Sequence, residues 1–177
     1  MQNYLASPKI SPKGSALFSC IRKPNMFNNN LIGYTIKLKI TDQQLISFRQ
    51  ELQNLIDEVK ELPEFKDKDF STPLLPISCE KDGSHTIKFK SKSEYVSNGE
   101  TKQRRIKVFD AKTNLIDNDE EIPTGSIVKI AYTPNIFYSH ASLYGISLRI
   151  NAIQIIKKGL YGAKIKKAKD FGFNIEA

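Results

Sequence analysis

Short runs of alternating apolar and polar residues recur along most of this chain. In the run GYTIKLKI the apolar side chains share one side of an extended strand, and Lys37 and Lys39 lie on the other side. The run SHTIKFKSK repeats this pattern and places Lys88 and Lys90 on its polar side. A period of two residues indicates a half-buried β-strand. The pattern therefore predicts two strands, each with a cationic outer face.

Further runs of this kind predict four more strands. They are residues 15–23, which Pro24 ends, residues 104–110, residues 126–132 and residues 146–156. In the second of these runs, Arg105, Lys107 and Phe109 fall on the outward side. In the last run we expect a β-bulge near Asn151, because the apolar residues change parity there.

The joins between the runs contain turn-forming residues. Asn98-Gly99 is a strong hairpin signal, so we expect residues 84–92 to fold back onto residues 104–110 and form a hairpin with one cationic face. The join TPNIFYSHASLYG is expected to be a long loop. It carries three aromatic residues outside any obvious core pattern, namely Phe137, Tyr138 and Tyr144.

One amphipathic helix follows the strand GYTIKLKI. In the segment TDQQLISFRQELQNLIDEVKEL, apolar residues recur every three or four positions, which is the spacing of one face of an α-helix. Thr41 and Gln44 resemble a capping box at its start, and Pro63 ends it. The polar side of the helix is acidic, so we expect it to pack on the side of the fold away from any polyanion.

Six strands and one helix in 177 residues favour a mainly β fold. Several short alternating strands in one domain are typical of a closed or nearly closed barrel. We predict a five- to six-stranded oligonucleotide-binding (OB) barrel with the helix after its second strand. Residues 1–14 form an N-terminal arm, residues 15–158 form the barrel domain, and residues 159–177 form a flexible C-terminal tail that is first basic and then aromatic.

The charge balance narrows the class of partner. The chain carries 27 Lys and Arg against 19 Asp and Glu, and its net charge is +8. The strand-like segments are basic and several joins are acidic, so a folded sheet would collect positive charge, as in proteins that bind polyanions. No apolar run approaches the roughly 18 residues of a membrane span. No secretory signal begins the chain, so we expect an intracellular protein.

Cations together with aromatic rings indicate a single-stranded nucleic acid as the ligand, because bases stack on flat rings and the backbone binds cations. Several assignments stay open at this point. Phe109 either contacts a base or packs under a neighbouring loop, and Phe27 either stacks on a base or covers the core. Lys37 and Lys39 either bind phosphate or simply solvate their strand.

Catalysis has weak support in the sequence. There is no glycine-rich phosphate loop, and the acidic residues within 117–121 have no partner histidine and are more typical of a solvated turn. Cys20 and Cys79 match neither a zinc spacing nor a redox pair, and His85 and His140 are isolated. We therefore predict no enzymatic activity, no cofactor and no metal site.

Four motifs follow one another in a distinctive order. They are an early strand ending in KPNMF, the strand GYTIKLKI running into an amphipathic helix, the segment KVFDAKTNLI, and the hairpin of PTGSIVKIAY with YGISLRINAIQII. This order, over roughly residues 13–157, resembles the phage-type single-stranded DNA-binding proteins of the Enc34 and T7-like kind. The resemblance implies an OB fold that coats single-stranded DNA without sequence specificity in viral DNA replication, recombination or repair, without a cofactor and without catalysis.

Under this hypothesis two sets of side chains bind the DNA. The cations that follow the sugar-phosphate backbone are Lys37, Lys39, Lys88, Lys90, Arg105, Lys107 and Arg149. The aromatic residues that stack on bases are Phe109, Phe137, Tyr138 and Tyr144.

The resemblance also implies partners and a location. Replication or recombination proteins would dock on the C-terminal tail, and a phage-encoded chain would act in the host cytoplasm, with no membrane partner. The tail KDFGFNIEA departs from the strongly acidic tail common in such proteins. A homo-oligomer stays open. The alternatives are an RNA-binding OB-fold protein and a β-barrel module that docks a protein.

Overall fold

The computed structural model describes residues 1–159 of the chain, which form one α-helix and eleven β-strands. The strands are β1 (Gln2–Leu5), β2 (Lys9–Ile10), β3 (Gly14–Phe27), β4 (Asn30–Ile40), β5 (Ile77–Cys79), β6 (His85–Ser91), β7 (Glu94–Ser97), β8 (Glu100–Gln103), β9 (Lys107–Phe109), β10 (Ile127–His140) and β11 (Leu143–Lys157). The helix α1 (Asp42–Lys60) lies between β4 and β5. The predicted C-terminal tail, residues 159–177, lies outside the described residues except for Gly159.

Five of these strands close into a barrel. β3 pairs with β4, β4 with β6, β6 with β11, β11 with β10, and β10 returns to β3. The β6–β11 pair is parallel and the other four pairs are antiparallel. The prediction of a mainly β barrel with one helix after its second strand is confirmed.

The apolar sides of the strands fill the barrel interior. Ile36 and Leu38 of β4 lie opposite Phe89 and Ile87 of β6, and all four are fully buried. The ring of Tyr132 meets the ring of Phe89 edge-on, with the centroids 5.3 Å apart. Burial of an aliphatic or aromatic side chain contributes about 1.5–3 kcal/mol. The alternation seen in the sequence is therefore also a main source of stability.

Helix α1 begins where the sequence predicts. The Thr41 hydroxyl accepts a hydrogen bond from the Gln44 backbone N–H, and the Gln44 side chain accepts one from the Thr41 N–H. This capping box satisfies two N–H groups at the start of the helix. The buried residues of α1 join the core cluster of the barrel, and they are Leu45, Phe48, Leu52, Leu55, Ile56 and Val59.

Strand β3 continues through Pro24, where the sequence predicted its end. Between Cys20 and Asn25 the pairing of β3 with β4 is interrupted. Proline therefore removes no hydrogen bond from a regular ladder there. The turn lies beyond it, at Asn28 and Asn29, which both have positive φ, as expected for an asparagine-rich segment.

The segment predicted as an aromatic loop, residues 133–145, instead forms the adjoining ends of β10 and β11. These strands pair along their length and leave a two-residue turn, Ala141-Ser142. The loop prediction was wrong because aromatic and β-branched residues favour a strand, and they outweigh Pro134 and the neighbouring serines. The three aromatic residues of this segment are thus held on a sheet.

The Asn98-Gly99 turn is present, but it joins β7 to β8. These two strands form a separate two-stranded sheet. β9 lies beside β11 as a parallel partner and does not pair with β6. The prediction of one hairpin with a single row of cations was therefore wrong, because a turn signal gives the position of a turn and not the length of the strands around it. Lys88 and Lys90 lie on β6, and Lys107 lies on β9.

The bulge predicted near Asn151 is confirmed. The register skips Asn151, because its neighbours Ile150 and Ala152 pair with consecutive residues of β10. The Asn151 side chain donates to the hydroxyl of Thr133 at 2.9 Å. The extra residue keeps both Ile150 and Ile153 inside the core.

Substitution of Gly33 tests how closely β4 approaches β6. Gly33 has a φ of 103°, and a Cβ there would overlap the carbonyl oxygen of Ser91. We expect Gly33→Ala to lower the free energy of unfolding by about 2–4 kcal/mol in urea denaturation. The control Gly125→Ala has a similar φ of 86° with open space around it, and should cost about 1–2 kcal/mol. Equal losses in the two variants would contradict this prediction.

Candidate nucleic-acid interface

One outer face of the barrel gathers cations from three neighbouring strands, β4, β6 and β11. Lys37 lies opposite Lys88, and Lys90 lies between Thr35 of β4 and Arg149 of β11. Neighbouring strands are about 4.8 Å apart, so these side chains share one surface. We call this surface the cationic face and define it by Lys37, Lys88, Lys90 and Arg149.

The two lysines of β4 are already paired with acids. Lys37 Nζ lies 2.7 Å from Glu80 Oε1, and Lys39 Nζ lies 3.0 Å from Asp82 Oδ2. Hydrogen bonds from Lys37 and then from Thr86 lower the pKa of Glu80, which keeps this carboxylate ionised. An anion that approaches β4 must therefore compete with two carboxylates.

The other three cations of this surface are not neutralised. Within residues 1–159, Lys88, Lys90 and Arg149 form no ion pair. Lys88 and Lys90 are exposed, whereas Arg149 is half-buried and its buried Nε makes no hydrogen bond. Cations without counter-ions create a positive potential that attracts anions. These three side chains are the best placed to bind phosphate.

Phe18 of β3 lies beside the cationic face and was missed in the sequence. Its side chain is 68% exposed, and Lys37 Nζ lies 5.6 Å from the ring centroid. Its φ of 49° is uncommon for a residue other than glycine and marks local strain. The sequence carries no local signal for this exposure, because regular alternation from the buried Ala16 would place Phe18 on the inner side of the strand.

Glu121 holds the irregular part of β3 in place. Its carboxylate accepts hydrogen bonds from the backbone N–H groups of Ile21, Arg22 and Lys23 at 2.7–2.9 Å. Interrupted pairing with β4 would otherwise leave these donors without partners. The acidic segment expected to be a solvated turn thus organises the strand that carries Phe18.

The predicted residues of the 104–110 segment lie further along β11. Arg105 Nη2 lies 2.9 Å from the carboxylate of Asp117 and is neutralised. Lys107 is exposed and forms no ion pair within the described chain. Phe109 is half-buried, and its backbone bridges to Leu115. Lys107 therefore extends the positive surface, and only part of the Phe109 ring is accessible to a ligand.

The aromatic residues of the β10–β11 hairpin differ in access. Tyr144 is only 5% exposed, and its hydrogen bond with the Thr72 hydroxyl, followed by the one from the Thr72 N–H, lowers the pKa of Tyr144. The half-buried ring of Tyr138 stacks on Tyr144, with centroids 5.6 Å apart and planes at 19°. Phe137 is half-buried and lies opposite Asn3 of β1. In this arrangement Tyr138 and Phe137 are partly accessible, and Tyr144 supports Tyr138 from within the core.

The tip of the β3–β4 hairpin carries a cluster of exposed apolar side chains. Phe27 is 65% exposed and therefore does not cover the core. Of the two hypotheses for Phe27, its exposure favours contact with a ligand. Its exposed apolar neighbours are Met26, Leu31 and Ile32.

Other kinds of site have little support in the described part of the chain. Residues 1–159 contain no group of three or more His, Cys, Asp and Glu side chains placed to hold a metal ion. Cys20 and Cys79 are free thiols. No helix in these residues is both long and apolar enough to cross a membrane.

The comparisons with known proteins identify the family. Residues 66–157 match the family model described as single-stranded DNA-binding protein, bacteriophage T7, and this match spans more than half of the chain. The chain belongs to this family. The matched residues of this chain include Lys88, Lys90 and Arg149 of the cationic face. No curated protein sequence matches the chain.

Solved structures similar to this chain show the same fold. The gp2.5 single-stranded DNA-binding protein of bacteriophage T7 has a TM-score of 0.71 and 20% identity, over 96% of this chain and 95% of that one. The single-stranded DNA-binding protein of bacteriophage Enc34, solved in complex with single-stranded DNA, has a TM-score of 0.60 and 14% identity, over 88% and 89%. A C-terminally truncated form of the Enc34 protein has a TM-score of 0.62 and 14% identity, over 86% of each chain.

Removal of the acid that pairs with Lys37 of β4 tests whether the carboxylates compete with DNA. Glu80→Gln releases Lys37 but keeps an oxygen that can accept from Thr86. We expect about threefold tighter binding of oligo-dT at low salt, because one competing charge is lost, measured by fluorescence anisotropy. Glu58→Gln, an exposed acid on α1, makes the same charge change as a control. An equal gain in both variants would show that only net charge matters.

Proposed function

We propose that this chain binds single-stranded DNA on the cationic face and coats it without sequence specificity. The observation that carries this proposal is a group of three cations on adjoining strands of the barrel that form no ion pair within residues 1–159, namely Lys88, Lys90 and Arg149. Family membership supports it, because the family is one of single-stranded DNA-binding proteins. The Enc34 protein with a similar fold was solved with single-stranded DNA bound.

Phosphate contacts supply the salt-dependent part of binding. Lys88, Lys90 and Arg149 contact the backbone first, and Lys107 of β9 extends the path alongside β11. Lys39 can join once phosphate displaces Asp82, because an exposed ion pair contributes little to stability. The half-buried Lys37 joins when phosphate takes the place of Glu80. Each neutralised phosphate adds about 0.7 to the slope of log affinity against log salt for a single strand. Arg105 contributes less, because it is already paired with Asp117.

Base stacking supplies the part of binding that persists at high salt. Phe18 is the most accessible ring beside the cationic face, and Phe137, Tyr138 and Phe109 offer partly exposed rings. The buried Tyr144 acts by supporting Tyr138. Every base has a flat face, so stacking discriminates weakly between sequences. A duplex hides these faces, and single strands should therefore be preferred.

The biological setting proposed for the chain is viral DNA replication, recombination or repair in the host cytoplasm. The chain would act there by binding and not by catalysis. Docking of replication or recombination proteins on the C-terminal tail belongs to the same proposal, as does a homo-oligomer. Both rest on the resemblance to phage proteins, and the tail lies outside the described residues.

A binding titration with three ligands tests the function. Labelled oligo-dT, its duplex with oligo-dA and a matching RNA strand are titrated by fluorescence anisotropy at two salt concentrations. We expect the tightest binding to the single DNA strand, with a slope of at least about 2 for three phosphate contacts. Stronger binding to RNA would indicate the RNA-binding alternative. Absence of binding to every strand at low salt would overturn the proposal and favour a protein-docking module.

Substitution of Phe18 tests the stacking part of this function. Phe18→Ala should weaken binding of oligo-dT by about 5- to 150-fold, which corresponds to the ~1–3 kcal/mol of one stacked base. Because the side chain is exposed, the thermal unfolding midpoint should hardly change. The matched control is Ile46→Ala on α1, an apolar side chain of similar exposure (69%). Unchanged affinity in Phe18→Ala would remove this ring from the interface.

A further inference from the structure

The β7–β8 hairpin projects as its own two-stranded sheet, and its two faces differ. Tyr95 lies opposite Lys102, and Val96 lies opposite Thr101. Opposite residues of an antiparallel pair share a face, and successive residues alternate. One face therefore carries Tyr95 and Lys102, and the other carries Val96 and Thr101. Glu100 lies on the first face, next to the turn and farthest from the barrel.

The first face combines an aromatic ring with cations. Tyr95 is 42% exposed, and the guanidinium carbon of Arg104 lies 5.6 Å from its ring centroid. Lys102 is exposed, and neither cation forms an ion pair within residues 1–159. The buried Nε of Arg104 also makes no hydrogen bond. This face thus repeats, outside the barrel, the combination of residues found around Phe18.

The base of the hairpin is tied to the barrel. The hydroxyl of the buried Tyr34 on β4 donates to the backbone oxygen of Arg104 at 2.6 Å, and the Arg104 N–H donates to the backbone oxygen of Ser93 at 2.6 Å. An isolated two-stranded hairpin is only marginally stable in water. These bonds place Arg104 and Tyr95 next to the barrel, and they use only the backbone of Arg104.

The hairpin also continues the cationic face. The outward positions of β6 are Lys88 and Lys90, and the exposed Lys92 follows them. Tyr95 is five positions beyond Lys90, which corresponds to at most about 17 Å of extended chain. A single strand that leaves the barrel at Lys90 can therefore reach the hairpin within a few nucleotides. The charge of Lys102 and Arg104 favours an anionic ligand over an apolar surface, and the exposed ring of Tyr95 offers a stacking surface for a base, a group that a carboxylate-rich protein surface lacks.

We propose that the Tyr95 face of the β7–β8 hairpin is a second subsite for single-stranded DNA, beyond the barrel. A base stacks on Tyr95, and the adjoining phosphates contact Lys102 and Arg104. Short oligonucleotides fill the cationic face alone, and longer ones also fill the hairpin. This inference rests on the function proposed above for the barrel.

A length series of oligo-dT tests this subsite. Affinities of the wild type, Tyr95→Ala and Arg104→Gln are measured by anisotropy with strands of increasing length. We expect both variants to bind short strands within about twofold of the wild type, and to lose about 5- to 20-fold with the longest strands. Val96→Ala, on the opposite face of the same hairpin, should match the wild type at every length.

Two further measurements separate loss of stacking from loss of the hairpin. Tyr95→Phe should restore the dependence of affinity on strand length, because it keeps the ring. A strand substituted with 5-iodouracil should cross-link to the peptide that contains Tyr95 on irradiation when the strand is long, and not when it is short.

The outcomes distinguish this inference from the proposed function. If the wild type binds strands of every length and Tyr95→Ala loses no affinity for long strands, the subsite is overturned but the function of the barrel is not. The subsite is also overturned if Tyr95→Ala loses the same affinity at all strand lengths, or if Val96→Ala loses as much affinity as Tyr95→Ala. Wild-type protein that binds no strand at all overturns the function of the barrel itself.

Discussion

Closure of the barrel by β10 is the constraint on which the rest of the structure depends. β10 pairs with β11 along its length, but it meets β3 through only two residue pairs, Ile127 with Ser15 and Val128 with Gly14. Backbone bonds from Ala16 to Ser126 and from Gly125 back to Ala16 reinforce this seam. Closure leaves no free barrel edge and curves β4, β6 and β11 into one outer surface. The direct pairing of β4 with β6 and of β6 with β11 then brings the cations of these strands together on that surface.

The cations on and beside the cationic face fall into two groups, those that are paired with carboxylates and those that are not. Lys37 and Lys39 are balanced by carboxylates of the turn before β6, whereas the cations of β6 and β11 have no counter-ion in the described chain. A polyanion would be attracted first to the unbalanced positions, and the balanced lysines would exchange partners afterwards. Pairing also keeps the lysines of β4 extended across the sheet when no ligand is bound. Under the proposed function, the acids would lower the affinity of this surface for a polyanion without blocking it.

Much of the fold could be predicted because its signals are local. The capping box of Thr41, the Asn98-Gly99 turn and the bulge at Asn151 each depend on a few neighbouring residues. Strand pairing is not local, and the partners of β9 and the ends of β10 and β11 were therefore misassigned. Alternation shows which side chains share a side of a strand, and Lys88 and Lys90 were placed correctly by it. It does not show what covers that side.

The same limit explains the aromatic residues of the site. Tyr144 and Phe18 have similar rings, yet Tyr144 is buried under Phe70 and Tyr138 while Phe18 stands in solvent. Phe18 is exposed because β3 leaves its regular pairing there, and Glu121, about 100 positions away, binds the freed N–H groups. A strained backbone persists only where the surroundings impose it. The long-range bonds of Glu121 supply that restraint, which makes the exposure of Phe18 a property of the whole fold and not of its own segment.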